Sequence, residues 1–143
     1  MRRPLTVDAS VFLNALHSRE EGHTTSRTFV DWLRDERIPL VLPTLLLVEV
    51  AATLGRSSGQ VDIGRLYIAR LLDLPHVIVV SLDRSLADDA AEIALQGGLK
   101  GSDAVYGATA RRYGATLVTL DRQQLTRMPA DVIARSPAEI LAE

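Results

Sequence analysis

Short continuous runs of Val, Ile and Leu alternate along the chain with longer segments in which apolar residues recur at helical spacing. The runs predict strands over residues 5–8, 40–42, 77–81, 116–120 and 132–134. Because these runs are continuous rather than alternating, they are typical of strands buried on both faces of a parallel sheet. The helical spacing predicts helices over residues 10–17, 25–35, 44–54, 63–73, 85–96 and 103–113.

The alternation of strands and helices predicts an α/β fold, an α/β/α sandwich whose central sheet is mainly parallel and has four to five strands. Residues typical of helix ends agree with this pattern. Ser136-Pro137 predicts the start of a late helix, because Pro suits the first helical position. Gly55 and Gly114 are predicted to end the helices that precede them.

The composition is that of one globular domain spanning residues 1–143, with 47% hydrophobic and 24% charged residues, which argues against disorder. Without cysteine, the chain has no thiolate for zinc binding or nucleophilic attack. Its longest apolar runs are too short to span a membrane, and no secretory leader is recognisable, so a cytoplasmic location is expected. A net charge of −2 lacks the basic excess that many nucleic-acid-binding domains show, although binding depends on how charge is distributed.

Four carboxylates occupy positions that predict chemistry. Asp8 and Asp121 each close a predicted strand, and the carboxyl ends of parallel strands are where ligands bind in such sheets. Glu49 interrupts an apolar run near the start of its helix. Asp103 opens a helix that leads into a strand, and such a helix normally begins at the opposite edge of the sheet. It can begin beside the other acids if the loop that precedes the helix is long. If the four converge, their repulsion requires a cation to offset it.

Each acid also has a structural interpretation. Asp8 suits a helix N-cap, Asp103 a first-turn acid favoured by the helix dipole, and Asp121 a turn residue. Taken singly, these three are more often structural than functional. Glu49 favours function, because burying a lone charge costs several kcal/mol, although an exposed helix face shared with Thr53 is an alternative.

Taken together, four segments make the chain resemble the PIN-domain ribonucleases, and most closely the VapC-type toxins of bacterial and archaeal toxin–antitoxin pairs. The resemblance covers essentially the whole chain. It rests on Val-Asp-Ala-Ser at 7–10, Thr-Leu-Leu-Leu-Val-Glu-Val at 44–50, Gly-Ser-Asp-Ala-Val-Tyr-Gly-Ala-Thr-Ala at 101–110 and Ala-Thr-Leu-Val-Thr-Leu-Asp-Arg at 115–122.

The resemblance implies a PIN-like fold and Mg²⁺- or Mn²⁺-dependent hydrolysis of RNA phosphodiester bonds by the toxin of a type II toxin–antitoxin system. It also implies a cognate antitoxin and a homodimer. The catalytic residues carried over are Asp8, Glu49, Asp103 and Asp121, with Asp8, Asp103 and Asp121 holding the metal and Glu49 serving as base or ligand. Ser10 and Thr119 would fix the carboxylates, and Lys100, Arg111, Arg112 and Arg122 would bind RNA phosphates.

One departure from the family concerns the residues after Asp121. Many relatives have a further acid two or three positions on, whereas this chain has Gln123 and Gln124 there, which leaves a second metal site open. The same residues bear on three other functions. A receiver-type phosphoacceptor and a haloacid-dehalogenase-like phosphatase each need a second acid after the first strand, and this chain lacks it. A non-catalytic PIN-like module that binds RNA or protein would be marked by a missing acid, and all four are present.

The remaining distinctive side chains receive structural interpretations. The histidines, His17, His23 and His76, are scattered, and none adjoins an acidic motif in the sequence. Trp32 lies on a helical apolar stripe and is assigned to the core, with partial exposure at a partner surface as the second interpretation.

Overall fold

A five-stranded sheet runs through the molecule in a computed structural model that describes residues 2–143. Its strands are β1 (Leu5–Val7), β2 (Leu40–Pro43), β3 (Val77–Val80), β4 (Thr116–Val118) and β5 (Ala134–Arg135). The helices of the described chain are α1 (Ala9–Asn14), α2 (His23–Asp35), α3 (Leu45–Ser58), α4 (Val61–Leu72), α5 (Arg84–Gly97), α6 (Gly101–Arg112), α7 (Arg122–Arg127) and α8 (Pro137–Leu141).

The strands are all parallel and lie in the order β3-β2-β1-β4-β5. The chain builds outward from β1 to β2 and β3, then returns to place β4 against the other side of β1, with Thr6 opposite Leu117 and Val7 opposite Val118. The strand order therefore reverses between β1 and β4, and ligands bind at such a switch point in open α/β sheets. The predicted fold class is confirmed.

The central strands are buried along their whole length, as their continuous apolar runs predicted. Every residue of β1, β2 and β4 is buried, whereas the edge strand β3 is partly exposed. The main core joins these strands to apolar residues of the surrounding helices, including Phe12, Phe29 and Leu33. Trp32 packs partly against this core, and its ring centre lies 5.8 Å from that of Phe29.

Helix α6 is buried on all sides over eight successive residues, from Asp103 to Ala110. It packs against β1, β2 and β4 on one side and against α5 on the other. Small side chains make this possible, because a Cβ on Gly107 would lie 2.5 Å from Sδ of Met128. A helix placed in this way carries its side chains at fixed positions relative to the sheet.

The predicted elements are all present, but several bounds differ: the first helix ends at Asn14, β4 ends at Val118, and the late strand predicted over 132–134 lies at Ala134–Arg135. Two further differences concern α3 and α7. Helix α3 does not end at Gly55; it continues to Ser58, and Gly59 ends it with a left-handed backbone at φ 65°. Open space surrounds Gly55, so the helix passes through it unhindered. Helix α7 was not predicted, because its six residues contain one apolar side chain and lack a helical stripe. Tertiary packing stabilises this helix, although its sequence has no apolar stripe.

Helix α7 is held by close contact with the end of α5. A Cβ on Gly97 would lie 2.6 Å from the carbonyl oxygen of Arg127, so only glycine permits this approach. Gly98 then ends α5 with φ 62°. The contact fixes the last residue of α7, and its first turn follows Asp121 at the carboxyl edge of the sheet. None of the helices within residues 2–143 has both the length and the apolar character to cross a bilayer.

Candidate active site

A cleft of about 620 Å³ opens at the carboxyl ends of β1 and β4, the switch point of the sheet. Asp8, Glu49, Asp103 and Asp121 all line it. Helix α6 begins at this edge, because it runs back along the sheet before the chain enters β4. Asp103, in the first turn of α6, therefore lies beside the other acids, which the predicted topology alone did not establish.

Asp8 directly follows β1 and is buried. It stands at the N-cap position of α1 but makes no side-chain capping hydrogen bond. Its Oδ2 instead accepts hydrogen bonds from Ser10 Oγ at 2.7 Å and from Thr119 Oγ1 at 3.0 Å. The carboxylate is therefore oriented by hydroxyls from two separate segments, and the simple capping interpretation does not hold.

Thr119 connects the two strand ends. Its side chain is 0% exposed, and its hydroxyl donates to Asp8 and accepts from the backbone N–H of Asp121 at 3.0 Å. Ser10 adds a weaker link, since its Oγ accepts from the backbone N–H of Leu120 at 3.3 Å. The two hydroxyls fix the position of Asp8 relative to the chain that leads to Asp121.

Asp121 has both a structural contact and a place in the cleft. Its Oδ1 accepts from the backbone N–H of Gln124 at 2.9 Å, which caps helix α7. The structural interpretation of Asp121 is thus satisfied by one oxygen, and its side chain still lines the cleft. Capping and ligand binding are compatible at this residue.

Glu49 is held by a tyrosine that the sequence did not identify. The hydroxyl of Tyr106 donates to Glu49 Oε1 at 2.5 Å, and Tyr106 itself is 0% exposed. Tyr106 stands three residues after Asp103, a spacing that places two side chains on one face of a helix. That spacing was the available signal, but the partner lies on α3, 57 residues away in the sequence.

Asp103 is held in the same manner by Gln124. The Nε2 of Gln124 donates to Asp103 Oδ1 at 2.9 Å, and Gln124 is 1% exposed. Within residues 2–143, two other buried oxygens, Asp103 Oδ2 and Gln124 Oε1, have no hydrogen-bond partner. Buried polar atoms are normally satisfied, so these two oxygens mark a place where a cation or an ordered water fits.

Three of the acids in the cleft have raised pKa values. Burial raises the pKa of Asp8, of Glu49 and of Asp103. Negative charge adds to this effect: Asp121 raises the pKa of Asp8 and of Asp103, and Asp8 raises the pKa of Glu49 and of Asp103. Burial and the neighbouring carboxylates also raise the pKa of Tyr106 above its ordinary value. The carboxylates therefore interact unfavourably as anions.

The donor set fits a hard divalent cation without forming a closed cage. Among the described residues, no three His, Asp or Glu side chains stand close enough to make a ready metal-binding group. Their hydrogen bonds to hydroxyl and amide donors hold the carboxylates at separate points of the cleft wall. Even so, the acidic side chains of the cleft offer only oxygen atoms, which Mg²⁺ prefers as ligands. Asp103 Oδ2 and Gln124 Oε1 are buried without hydrogen-bond partners, and Mg²⁺ commonly completes its coordination shell with water. The residues present suit such an ion.

The predicted phosphate-binding residues divide into two groups. Lys100 lines the cleft, and Arg122 is exposed immediately after Asp121. Arg111 and Arg112 lie at the far end of α6, about 12 Å along the helix from Asp103. Their partners are acids on other segments: Asp131 lies 3.7 Å from Arg111, while Arg112 contacts Asp83 at 3.7 Å and Asp89 at 2.8 Å. These two arginines therefore pair with acids on other segments, and neither lines the cleft.

His17 does line the cleft, with Glu20 and Glu21 beside it. This position was not predicted, because His17 adjoins none of the four acidic motifs in the sequence. Asn14 organises the turn that carries these residues, donating from Nδ2 to Glu20 Oε1 and to the backbone carbonyl of Glu21, both at 3.0 Å. The cleft consequently has more acidic groups on its rim than the four that the sequence singled out.

The raised carboxyl pKa values predict how stability depends on pH. Between the unfolded and folded pKa values of Asp8, the folded state binds more protons than the unfolded state, so rising pH lowers stability. We expect the Tm of the cation-free Asp8→Asn variant to exceed that of the native chain at pH 7, and the gap to narrow towards pH 4. Thermal melts in EDTA across this range measure the gap. A gap that does not change with pH would contradict the prediction.

The chain matches the PIN domain family over residues 5–130. No curated protein sequence matches it significantly. Among solved structures, VapBC2 from Rickettsia felis bound to a promoter DNA fragment has a TM-score of 0.70 and 14% identity, over 93% of this chain and 98% of that one.

Two further structures have the same fold. VapC20 from Mycobacterium tuberculosis, described as a sarcin-ricin loop cleaving toxin, has a TM-score of 0.70 and 19% identity, over 90% of this chain and 98% of its own. FitAcB from Neisseria gonorrhoeae has a TM-score of 0.70 and 19% identity, over 94% and 98%. At these identities, the likeness is one of fold.

Proposed function

The chain belongs to the PIN domain family, and from that premise we propose that it is a Mg²⁺- or Mn²⁺-dependent endoribonuclease, the toxin of a type II toxin–antitoxin pair. One observation carries the proposal. Asp8, Glu49, Asp103 and Asp121 come from four separate segments and line one cleft at the switch point of the sheet. The description of VapC20 as a toxin that cleaves the sarcin-ricin loop supports RNA as the substrate class.

Asp8, Asp103 and Asp121 would hold the divalent cation. Such a cation supplies Lewis-acid stabilisation of the negative charge that develops on the phosphoryl oxygens. Ser10 and Thr119 keep the Asp8 carboxylate at a fixed orientation, and Gln124 does so for Asp103. Preorganisation of this kind lowers the cost of assembling the site around the substrate.

Glu49 is our candidate for orienting and deprotonating the attacking water. Tyr106 occupies Glu49 Oε1, which leaves Oε2 to accept a hydrogen bond from water. Burial raises the pKa of Glu49 above its ordinary value, and a general base works best when its pKa approaches the working pH. Lys100, on the rim of the cleft, would bind an RNA phosphate next to the scissile one.

The partner that we propose is a cognate antitoxin. A groove of about 450 Å³ between α1, α2 and α4 supports a protein partner; its lining combines apolar residues such as Leu16 and Val30 with the charged Arg27, Asp31 and Arg70. Exposed apolar surface of this kind marks interaction sites. We also propose a homodimer, for which the exposed Val48 and Val61 on α3 and α4 provide apolar surface.

A cleavage assay tests the proposed activity. The purified chain, mixed with labelled single-stranded RNA, is expected to cut it when Mn²⁺ or Mg²⁺ is present and to stop cutting when EDTA removes the ion. Restoring Mn²⁺ should restore cleavage. The second candidate is a non-catalytic module, favoured by the lack of a closed three-ligand group within residues 2–143. RNA that binds to the chain but stays intact in Mn²⁺ would favour the module over the enzyme.

A further inference from the structure

Gln124 contacts two of the three proposed cation ligands through two different groups. Its backbone N–H donates to Asp121 Oδ1 at 2.9 Å, and its side-chain Nε2 donates to Asp103 Oδ1 at 2.9 Å. Because its side chain is almost fully buried, the amide has little freedom to turn away. A carboxylate can only accept, so the amide nitrogen must face Asp103 and the amide oxygen must face elsewhere.

We propose that Gln124 is a positioning residue: its buried amide sets the orientation of Asp103 for the cation, and its neutrality keeps the cation-free cleft stable. This inference rests on the proposed function, since it assumes that the cleft binds a divalent cation. The buried Gln124 Oε1 and Asp103 Oδ2, which have no partners within residues 2–143, are the atoms available to the ion or its waters.

Charge explains why an amide suits this position. The cleft is already lined by four carboxylates, so a fifth beside Asp103 would add charge repulsion and remove the donor that Asp103 needs. A neutral residue with both a donor and an oxygen holds Asp103 without that cost. Purely structural burial of Gln124 would require the hydrogen bond but would give no dependence on the cation.

The main variant is Gln124→Glu, and Gln123→Glu is its matched control. Both add one negative charge to adjacent positions of α7, but Gln123 is exposed and Gln124 is buried. In EDTA at pH 7, we expect Gln124→Glu to lower Tm by about 5–10 °C, and the control to change it by no more than about 2 °C. Saturating Mn²⁺ should return most of the loss, so that Mn²⁺ raises the Tm of Gln124→Glu more than that of the native chain.

A second variant, Gln124→Met, keeps a similar volume and removes the donor without adding charge. Loss of a side chain that orients a metal ligand weakens metal binding by about 10–100-fold, and we expect a Mn²⁺ affinity reduced by that factor in a calorimetric titration. This variant covers the case in which Gln124→Glu does not fold. Gln123→Met, exposed and next to it, should bind Mn²⁺ as the native chain does.

Two results would overturn the inference: a Tm loss in Gln124→Glu that is equal with and without Mn²⁺, or a Mn²⁺ affinity unchanged in Gln124→Met. Neither measurement uses RNA. If the native chain binds Mn²⁺ with the predicted dependence on Gln124 but never cuts RNA, the proposed nuclease function fails and the positioning role stands. If the native chain binds no Mn²⁺ at all, both fail together.

Discussion

The Asp8→Asn variant is expected to cleave RNA on the order of 10³-fold more slowly than the native chain while remaining folded. Asp8 directly follows the central strand β1. Within residues 2–143, it is the only one of the four acids in which one carboxylate oxygen accepts hydrogen bonds from two side-chain hydroxyls. Asn keeps the shape but loses the charge that would hold the cation. A rate loss of this size equals about 4 kcal/mol of transition-state stabilisation, within what a catalytic cation supplies.

The measurement is single-turnover cleavage of a labelled RNA in saturating Mn²⁺, with circular dichroism to check folding. Asp88→Asn is the control, because Asp88 lies on α5, is 63% exposed in its side chain and pairs with Arg84 away from the cleft. That variant should cleave at the native rate. Native cleavage by a folded Asp8→Asn variant would remove Asp8 from the proposed site.

Thr119→Val should have the second-largest effect, a Mn²⁺ affinity weaker by about 10–100-fold. The change removes one hydroxyl and keeps the side-chain volume. Without the hydroxyl, Asp8 loses one of its two side-chain donors and the backbone N–H of Asp121 loses its acceptor. Leaving buried groups unpaired costs about 1–3 kcal/mol, so the Tm in EDTA should fall as well.

Thr109→Val separates the two effects of the threonine change. Thr109 is equally buried, but its hydroxyl donates to the carbonyl of Val105 within α6 and does not contact the cleft acids. It should alter stability only and leave the Mn²⁺ affinity unchanged. Calorimetric titration of both variants provides the comparison. Equal affinities in the two variants would show that Thr119 does not position the cation ligands.

Much of the architecture was predictable, because burial on both faces of a parallel sheet leaves a local pattern. The runs that became β1, β2 and β4 are mostly apolar, with Thr6 and Thr116 as the polar exceptions, and this pattern needs no knowledge of distant residues. Helix α7 was not predictable in this way. Its sequence is polar, and it is held by the approach of Arg127 to Gly97, a contact between residues far apart in the chain.

The candidate site, like the fold, was predictable only in part. The strand-end positions of Asp8 and Asp121 indicated one shared edge, and the structure places both in the same cleft. The predicted role of Arg111 and Arg112 in phosphate binding has no support from their positions, because local charge does not show which end of a helix faces a cleft. The packing of α6 between the sheet and α5 puts them at the end of the helix opposite Asp103, where they pair with acids on other segments.

By itself, the sequence determined the parallel sheet, the two acids at its strand ends and the membership of a family whose pattern spans most of the chain, because each depends on residues adjacent or in fixed order. Only the tertiary structure decided which donors hold those acids. Tyr106 reaches Glu49 from another helix, and Gln124 reaches Asp103 across 21 residues, because α6 is buried between the sheet and α5 and presents both partners. Hydrogen bonds between distant segments depend on packing geometry, which a linear pattern does not contain.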